Sequence, residues 1–77
     1  MQVEYDTEAD ALYVRLREAR GPTETRPLPD GLRFLHFDPT GELVAVEFIE
    51  VEASGVNLED LPQGPAIAEA LRALRVA

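Results

Sequence analysis

The stretch from Gly31 to Glu52 predicts a β-hairpin, and the rest of the chain must be arranged around it. Two apolar-rich runs flank the tetrapeptide Asp38-Pro39-Thr40-Gly41. Proline suits the second position of a type I turn, and the glycine can take the positive φ that lets the second strand return. This is the clearest strand-turn-strand pattern in the sequence.

The turn also predicts the register of the hairpin. With a glycine bulge in the turn, Phe37 lies opposite Leu43 and, counting on without interruption, Arg33 lies opposite Glu47. Alternation then divides the hairpin into two faces. One face consists of Leu32, Phe34, Val44, Val46 and Phe48, and the other of Leu35, Phe37, Leu43, Ala45 and Ile49. The first face is expected to form the core.

The second face is too apolar to be left in solvent, so we expect a partner or a second copy of the chain to cover it. The predicted interaction surface consists of Leu35, Phe37, Leu43 and Ile49.

Three further strands are predicted before the hairpin. Residues 2–5 alternate polar and apolar side chains, as does the run ALYVRLR over residues 11–17, which predicts a half-buried strand. Residues 23–28 predict a short strand at the edge of the sheet, because Pro27 cannot donate a hydrogen bond to a ladder.

An amphipathic helix is predicted over residues 65–76. Residues 53–55 break the strand pattern, and Asn57 is expected to cap a single helical turn that ends at Leu61. Pro65 suits the first position of the longer helix, where no backbone hydrogen bond is lost. The apolar stripe of this helix consists of Ile67, Ala70, Leu71 and Leu74. A helix this short is marginal alone, so it must pack on the sheet.

Together these elements predict one α+β domain over residues 1–77. About five short strands, within about residues 2–52, form an antiparallel β-meander, and the C-terminal amphipathic helix packs on one face of it. The pattern leaves open whether the helix packs in its own subunit or is swapped onto a second copy.

The composition limits which kinds of partner this domain can bind. Fifteen acidic side chains against seven basic ones give a net charge of −8, which repels nucleic acid and attracts a small basic protein. There is no cysteine, and 77 residues supply only a modest core, so a homo-oligomer, dimer or higher, is expected. No leader pattern is present, and no apolar run approaches the roughly 20 residues of a membrane span, so we expect a cytoplasmic protein.

The acidic segment 6–10 is the candidate for a small-ligand or metal site. Its alternating carboxylates resemble the start of a calcium loop, but an EF-hand needs glycine and glutamate where this chain has Ala11 and Arg17. The favoured interpretation is a polar turn in which Asp6 and Asp10 accept backbone N–H hydrogen bonds. The alternative is a ligand site that consists of Tyr5, Asp6, Glu8, Asp10 and Tyr13. The tyrosines are expected to pack on the sheet with their hydroxyls in water.

The sequence does not predict an enzyme. His36 is the only histidine, and no residue spacing places an acid–base partner or further metal ligands beside it, so we interpret it as structural. Ser54 lies in no nucleophile motif, and there is no glycine-rich phosphate loop. We therefore expect no catalytic residues, no cofactor and no metal ion.

Two segments resemble the DUF2283 family of small bacterial and archaeal proteins of unknown function. They are YDTEADALYVRL over residues 5–16 and FDPTGELVAVEFI over residues 37–49, with Ala45 where the family commonly has glycine. The resemblance implies an antiparallel meander, a cytoplasmic origin and no enzymatic activity. It also implies the hypothesis that the protein pairs with a small toxin-like neighbour.

The predicted function is accordingly a non-enzymatic protein-interaction module, in one version an antitoxin-like partner of a small basic protein. The alternative is a small-ligand or metal-binding protein that uses the acidic turn from Asp6 to Asp10.

Overall fold

Five strands and two helices form the part of the chain that the computed structural model describes, the backbone of residues 1–76 and the side chains of residues 1–73. The strands are β1 Gln2–Asp6, β2 Ala11–Arg15, β3 Glu24–Pro27, β4 Arg33–Phe37 and β5 Leu43–Phe48. The helices are α1 Val51–Ser54 and α2 Gly64–Val76. One antiparallel sheet with a C-terminal helix confirms the predicted α+β class.

The strands lie in the order β1-β2-β5-β4-β3, and all neighbours are antiparallel. The order departs from the sequence in one place, because β2 pairs with β5 and residues 16–23 carry the chain to the far edge. β5 is therefore the central strand. Pro27 lies on the edge strand β3, as predicted.

The hairpin turn forms as predicted. Gly41 has a φ of 89°, its N–H donates to the Asp38 carbonyl at 2.9 Å, and the Asp38 N–H donates to the Glu42 carbonyl at 3.0 Å. Phe37 pairs with Leu43, which confirms the first pair of the predicted register.

The rest of the predicted register is wrong because β5 contains a bulge. His36 pairs with Ala45, so Val44 is an extra residue, and Arg33 lies opposite Phe48 instead of Glu47. A regular strand would send residues 43 and 46 to opposite faces, whereas the bulge turns both Leu43 and Val46 toward the core. Counting from the turn alone cannot reveal an extra residue of this kind.

The core lies on one face of the sheet, under α2. Its buried residues are Leu12, Val14, Leu35, Leu43, Val46, Phe48 and Ile67. Ala70 and Leu71 of α2 pack against them, which confirms the predicted stripe as far as the described side chains extend. Leu74 lies outside the described side chains. The helix packs on the sheet of its own chain.

The segment between β5 and α2 differs from its prediction. Val51 and Glu52 belong to the short helix α1, where a strand end was expected, because Glu50 takes a left-handed conformation with φ 52°. No helical turn forms over residues 57–61; the Asn57 side chain instead accepts the Glu59 N–H at 2.9 Å. Val56, Leu58 and Leu61 pack against the core.

Arg33 holds this segment in place. Its side chain is buried, and its guanidinium donates to the backbone carbonyls of Asn57 and Glu59 and, at 2.9 Å, to the Asp30 carboxylate. The predicted cross-strand pair of Arg33 with Glu47 is therefore wrong, because the bulge places Arg33 on the core side of the sheet.

Candidate functional site

The face of the sheet opposite the core is the candidate site, and we call it the outer face. Strand alternation and pairing assign to it Gln2, Glu4, Asp6, Ala11, Tyr13, Arg15, Thr25, Pro27, Leu32, Phe34, His36, Ala45, Glu47 and Ile49. Among the described side chains, those of α1, of α2 and of the loop between them that pack on the sheet do so on the core side. The larger apolar and aromatic side chains of the outer face are consequently half-buried and open to solvent.

Glu47 lies at the centre of the outer face. It belongs to the middle strand β5, with Tyr13 directly opposite on β2 and Phe34 directly opposite on β4. Along its own strand the same side carries Ala45 and then Ile49. The Glu47 side chain is 35% exposed, so a half-buried carboxylate lies among aromatic and apolar neighbours.

His36 is the second polar side chain of this centre. Its Nδ1 lies 3.0 Å from the Thr25 hydroxyl, and its ring centroid is 5.6 Å from that of Tyr13. Its Nε2 is buried, has no hydrogen-bond partner, and lies 3.7 Å from a carboxylate oxygen of Glu47. The structure thus joins Thr25, His36 and Glu47 from three strands into one polar row.

A shallow depression of about 410 Å³ borders this centre on the side of β1. Its lining residues are Glu4, Tyr5, Asp6, Ala9, Ala11, Tyr13 and Glu47. The carboxylates of Glu4, Asp6 and Glu47 give the depression a negative potential. Arg15 lies two residues beyond Tyr13 on β2, and its guanidinium bonds the Gln2 side chain. This margin of the outer face favours a positively charged ligand group.

The acidic turn forms the internal hydrogen bonds that the favoured interpretation predicted. One oxygen of Asp6 accepts the N–H groups of Glu8 at 3.0 Å and Ala9 at 3.2 Å. The Asp10 carboxylate accepts the Glu52 N–H at 3.0 Å and the Tyr5 hydroxyl at 2.5 Å. These hydrogen bonds therefore serve the fold: those of Asp6 close the β1–β2 turn, and that of Asp10 with Glu52 joins the turn to α1.

The structure brings three of the five predicted ligand residues, Tyr5, Asp6 and Tyr13, to the depression. Tyr5 pairs with the core residue Leu12, whereas Tyr13 lies on the outer face, and neither Glu8 nor Asp10 lines the depression. The Tyr5 hydroxyl donates to Asp10, and this hydrogen bond, together with the neighbouring carboxylates, raises the pKa of Tyr5 to about 12. Within the described part of the chain, no three acidic or histidine side chains are placed to hold a metal ion.

The predicted interaction surface is corrected in three of its four positions. Leu35 is 7% and Leu43 is 4% exposed, and both belong to the core. Phe37 is half-buried against the core, with the Arg26 guanidinium 4.9 Å from its ring centroid. Only Ile49 lies on the open side. The physical reason is the bulge in β5. Val46 and Phe48 keep the predicted core side, and the shifted register brings Leu35 and Leu43 to that side with them.

The outer face could not be derived from sequence spacing. Tyr13, His36 and Glu47 come from three strands, and they meet only because β5 enters the sheet between β2 and β4 with an extra residue. The half-polar alternation of β2 does place Tyr13 away from Leu12 and Val14, which is the one part of this site that the sequence pattern contains.

These features define a class: a small single-sheet α+β protein whose helix covers one face and whose other face is open. Its family follows from the sequence, since the profile described as "Protein of unknown function (DUF2283)" matches residues 2–51. The chain belongs to the DUF2283 family, as the two resembling segments predicted. The matched residues cover all five strands and therefore the whole outer face.

The comparison with curated proteins and the comparison with solved structures each found no match. Among the described residues, no helix has the length and apolar character that crossing a bilayer requires.

Proposed function

We propose that this protein is a non-enzymatic protein-interaction module of the cytoplasm, and that the outer face is its docking surface. The observation that carries the proposal is the half-buried apolar and aromatic surface around Glu47, on the side of the sheet that the helices leave open. The solvent-facing side of an antiparallel sheet normally carries polar residues. This one presents Tyr13, Leu32, Phe34 and Ile49 instead.

Burial of these side chains supplies a driving force for docking. Complete burial of a large apolar side chain stabilises by about 1.5–3 kcal/mol, and a half-buried one still gains a fraction of that. Aromatic residues near the middle of a surface are also the residues that most often dominate binding. Tyr13 and Phe34 flank the central residue Glu47 on its two sides, so these two aromatic side chains are expected to anchor a bound protein.

Two kinds of occupant follow from the predictions. A second copy of the chain would make a homo-oligomer, and a small basic protein, as in an antitoxin-like pairing, would be attracted by the net charge of −8. A small-ligand or metal-binding function has less support, because Asp10 and one oxygen of Asp6 already accept hydrogen bonds from within the protein.

Affinity capture with matched variants tests the docking surface. Phe34→Ala and Phe37→Ala each truncate a half-buried phenylalanine of β4, but on opposite faces of the sheet. Capture from native lysate should return a stoichiometric partner with the wild type and with Phe37→Ala, and should lose it with Phe34→Ala. Equal capture by all three proteins, at matched thermal stability, would refute the assignment of the outer face.

Light scattering coupled to size exclusion tests the homo-oligomer directly. A mass above that of one 8.5 kDa chain, reduced to that of the monomer by Phe34→Ala, would identify the occupant as a second copy.

A further inference from the structure

We infer that the occupant of the outer face is a basic protein segment that places an arginine side chain against Glu47, and that it is not a second copy of this chain. The inference deepens the proposed function and rests on it. Its starting point is the position of one carboxylate at the centre of an otherwise apolar and aromatic surface.

Covering the outer face removes water from Glu47. Its side chain is already two-thirds shielded, at 35% exposure, and its neighbours Tyr13 and Phe34 offer no positive charge. A carboxylate buried without a partner loses much of its solvation free energy, whereas a charge-assisted hydrogen bond offsets that loss. An occupant that donates a charged hydrogen bond to Glu47 supplies what Tyr13 and Phe34 lack, and the imidazole of His36, 3.7 Å away, makes no hydrogen bond that would take its place.

A guanidinium suits this position better than other cations. It can bond a carboxylate with two parallel N–H groups and can stack its planar face on an aromatic ring. Glu47 supplies the carboxylate, and Tyr13 and Phe34 supply rings on either side of it. The adjoining depression, bordered by Glu4 and Asp6, can take a second basic side chain of the same segment.

A second copy of this chain fits poorly at the same place. A symmetric dimer uses the same surface patch on both subunits. A two-fold axis through the centre of the outer face would bring Glu47 against its own copy, and like charges in a desolvated contact oppose association. Arg15 is the cation that the outer face itself carries, and its guanidinium already bonds Gln2. Carboxylates outnumber it there, since Glu4, Asp6 and Glu47 share this face.

The side chains around Glu47 also limit what else could neutralise it. Its nearest polar neighbour is His36, whose Nε2 is 3.7 Å away and makes no hydrogen bond. The same face therefore holds an unpaired carboxylate and an unpaired imidazole nitrogen side by side. A guanidinium donating to Glu47 is compatible with both groups, because an imidazole nitrogen that carries no proton can also accept a guanidinium N–H.

Chemical-shift titration of the ¹⁵N-labelled chain tests the cation directly. The probes are N-acetyl-arginine amide and, as an uncharged control of similar length, N-acetyl-norleucine amide. The arginine probe should shift the amides of β2, β4 and β5, and should bind about tenfold more weakly to Glu47→Gln, which keeps the shape but removes the charge. Glu69→Gln is the matched control, because it removes an exposed carboxylate from α2, beyond the opposite face of the sheet. It should bind like the wild type.

Equal shifts with the two probes, or equal binding by the wild type and Glu47→Gln, would overturn the inference. Glu47→Gln should fold, since the Glu47 carboxylate has no hydrogen-bond donor closer than the 3.7 Å contact with His36, and its thermal unfolding is measured alongside.

Lysate capture separates failure of this inference from failure of the proposed function. Loss of the captured partner with both Phe34→Ala and Glu47→Gln supports both. Loss with Phe34→Ala alone leaves the docking surface intact and overturns the arginine contact. Capture that survives both changes overturns both. A wild-type dimer in light scattering that Phe34→Ala dissociates and Glu47→Gln leaves unchanged or tightens would identify a second copy and overturn the inference.

Discussion

At the scale of single residues, two buried charged side chains hold the loops of this protein. Arg33 joins β4 to the segment before α2, and Asp38 joins the hairpin turn to the loop that leads to β3. Both lie under 10% exposed, at 8% and 5%. Buried charges of this kind are tolerated only when their hydrogen bonds are satisfied.

Arg33→Met should lower the free energy of unfolding by about 3 kcal/mol. Methionine keeps much of the volume but leaves the carbonyls of Asn57 and Glu59 without their donor. Urea unfolding followed by circular dichroism measures the loss. Arg26→Met provides the comparison, because the Arg26 side chain is exposed and pairs only with its neighbour Glu24, so a change within about 0.5 kcal/mol is expected. Similar losses in both variants would contradict the role assigned to Arg33.

Asp38 should make the stability depend on acid pH. Its carboxylate accepts the Thr40 hydroxyl and the N–H groups of Glu42, Arg20 and Thr40, and these bonds hold its pKa below the usual range against the opposing effect of burial. A lowered pKa in the folded state means that the contribution is complete above the unfolded pKa of about 4 and is lost as the pH falls through the folded value.

Urea unfolding of the wild type and Asp38→Asn at a series of pH values checks this sign. The wild type should lose stability below about pH 4, and Asp38→Asn should be less stable at pH 7 but should lose less on acidification. An equally steep loss in the two proteins would show that other carboxylates, such as Asp30, whose pKa is also lowered by its bonds to Leu32 and Arg33, govern the acid limb.

At the scale of elements, the hairpin of β4 and β5 shows how a turn and a bulge divide their roles. The turn at residues 38–41 starts the register, and Gly41 makes it possible with its positive φ. The bulge at Val44 then changes the register by one residue, so the faces beyond it differ from those that the turn alone implies. The register of the hairpin is therefore set by local sequence at the turn and by tertiary contacts beyond the bulge.

Gly41→Ala should destabilise the protein by about 1–2 kcal/mol, because an L-residue is strained at a left-handed φ. A Cβ at Gly41 meets no atom within 4 Å, so the loss reports backbone conformation alone. Gly64→Ala is the control, since Gly64 begins α2 without a positive φ and its Cβ would only make an ordinary contact with the Leu58 carbonyl, 3.8 Å away. Its stability should stay within about 0.5 kcal/mol or rise. Thermal unfolding of both variants compares them, and a neutral Gly41→Ala would contradict the turn assignment.

At the scale of the whole molecule, charge and exposed surface point to the same kind of partner. The net charge of −8 surrounds a sheet face that is aromatic at its centre and acidic at one margin. Long-range attraction speeds the encounter with a basic protein, while the apolar surface and the buried contacts slow its release. The two effects can be separated by their response to salt.

The complex with the captured partner should form at least about tenfold more slowly at high than at low ionic strength, while its dissociation rate changes less. Surface plasmon resonance over a salt series measures both rates. Phe34→Ala should instead raise the dissociation rate, because it removes a desolvated contact. An association rate that does not respond to salt would show that the acidic charge plays no part in the encounter.

Local patterns predicted much of this protein, and the particular residues show why. The Asp38–Gly41 turn, the pair of Phe37 with Leu43 and the edge position of Pro27 depend on residues close together in the chain. The stripe of α2, as far as Leu71, likewise follows from helical spacing. The resemblance to the family is carried by two short segments, residues 5–16 and 37–49, which lie inside the matched residues 2–51. In each case the conformational preference depends on residues a few positions apart, so it can be predicted from the sequence.

The tertiary structure decided the rest. The entry of β5 between β2 and β4, the bulge at Val44 and the burial of Arg33 all depend on contacts between residues far apart in the chain. These contacts determine which face is the core, and therefore why Glu47, predicted to pair with Arg33, lies instead at the centre of the outer face between Tyr13 and Phe34. Apolar residues lie on both sides of this hairpin, so local alternation permits either face to be buried. The pairing of β2 with β5 and the packing of α2 on one face make the choice.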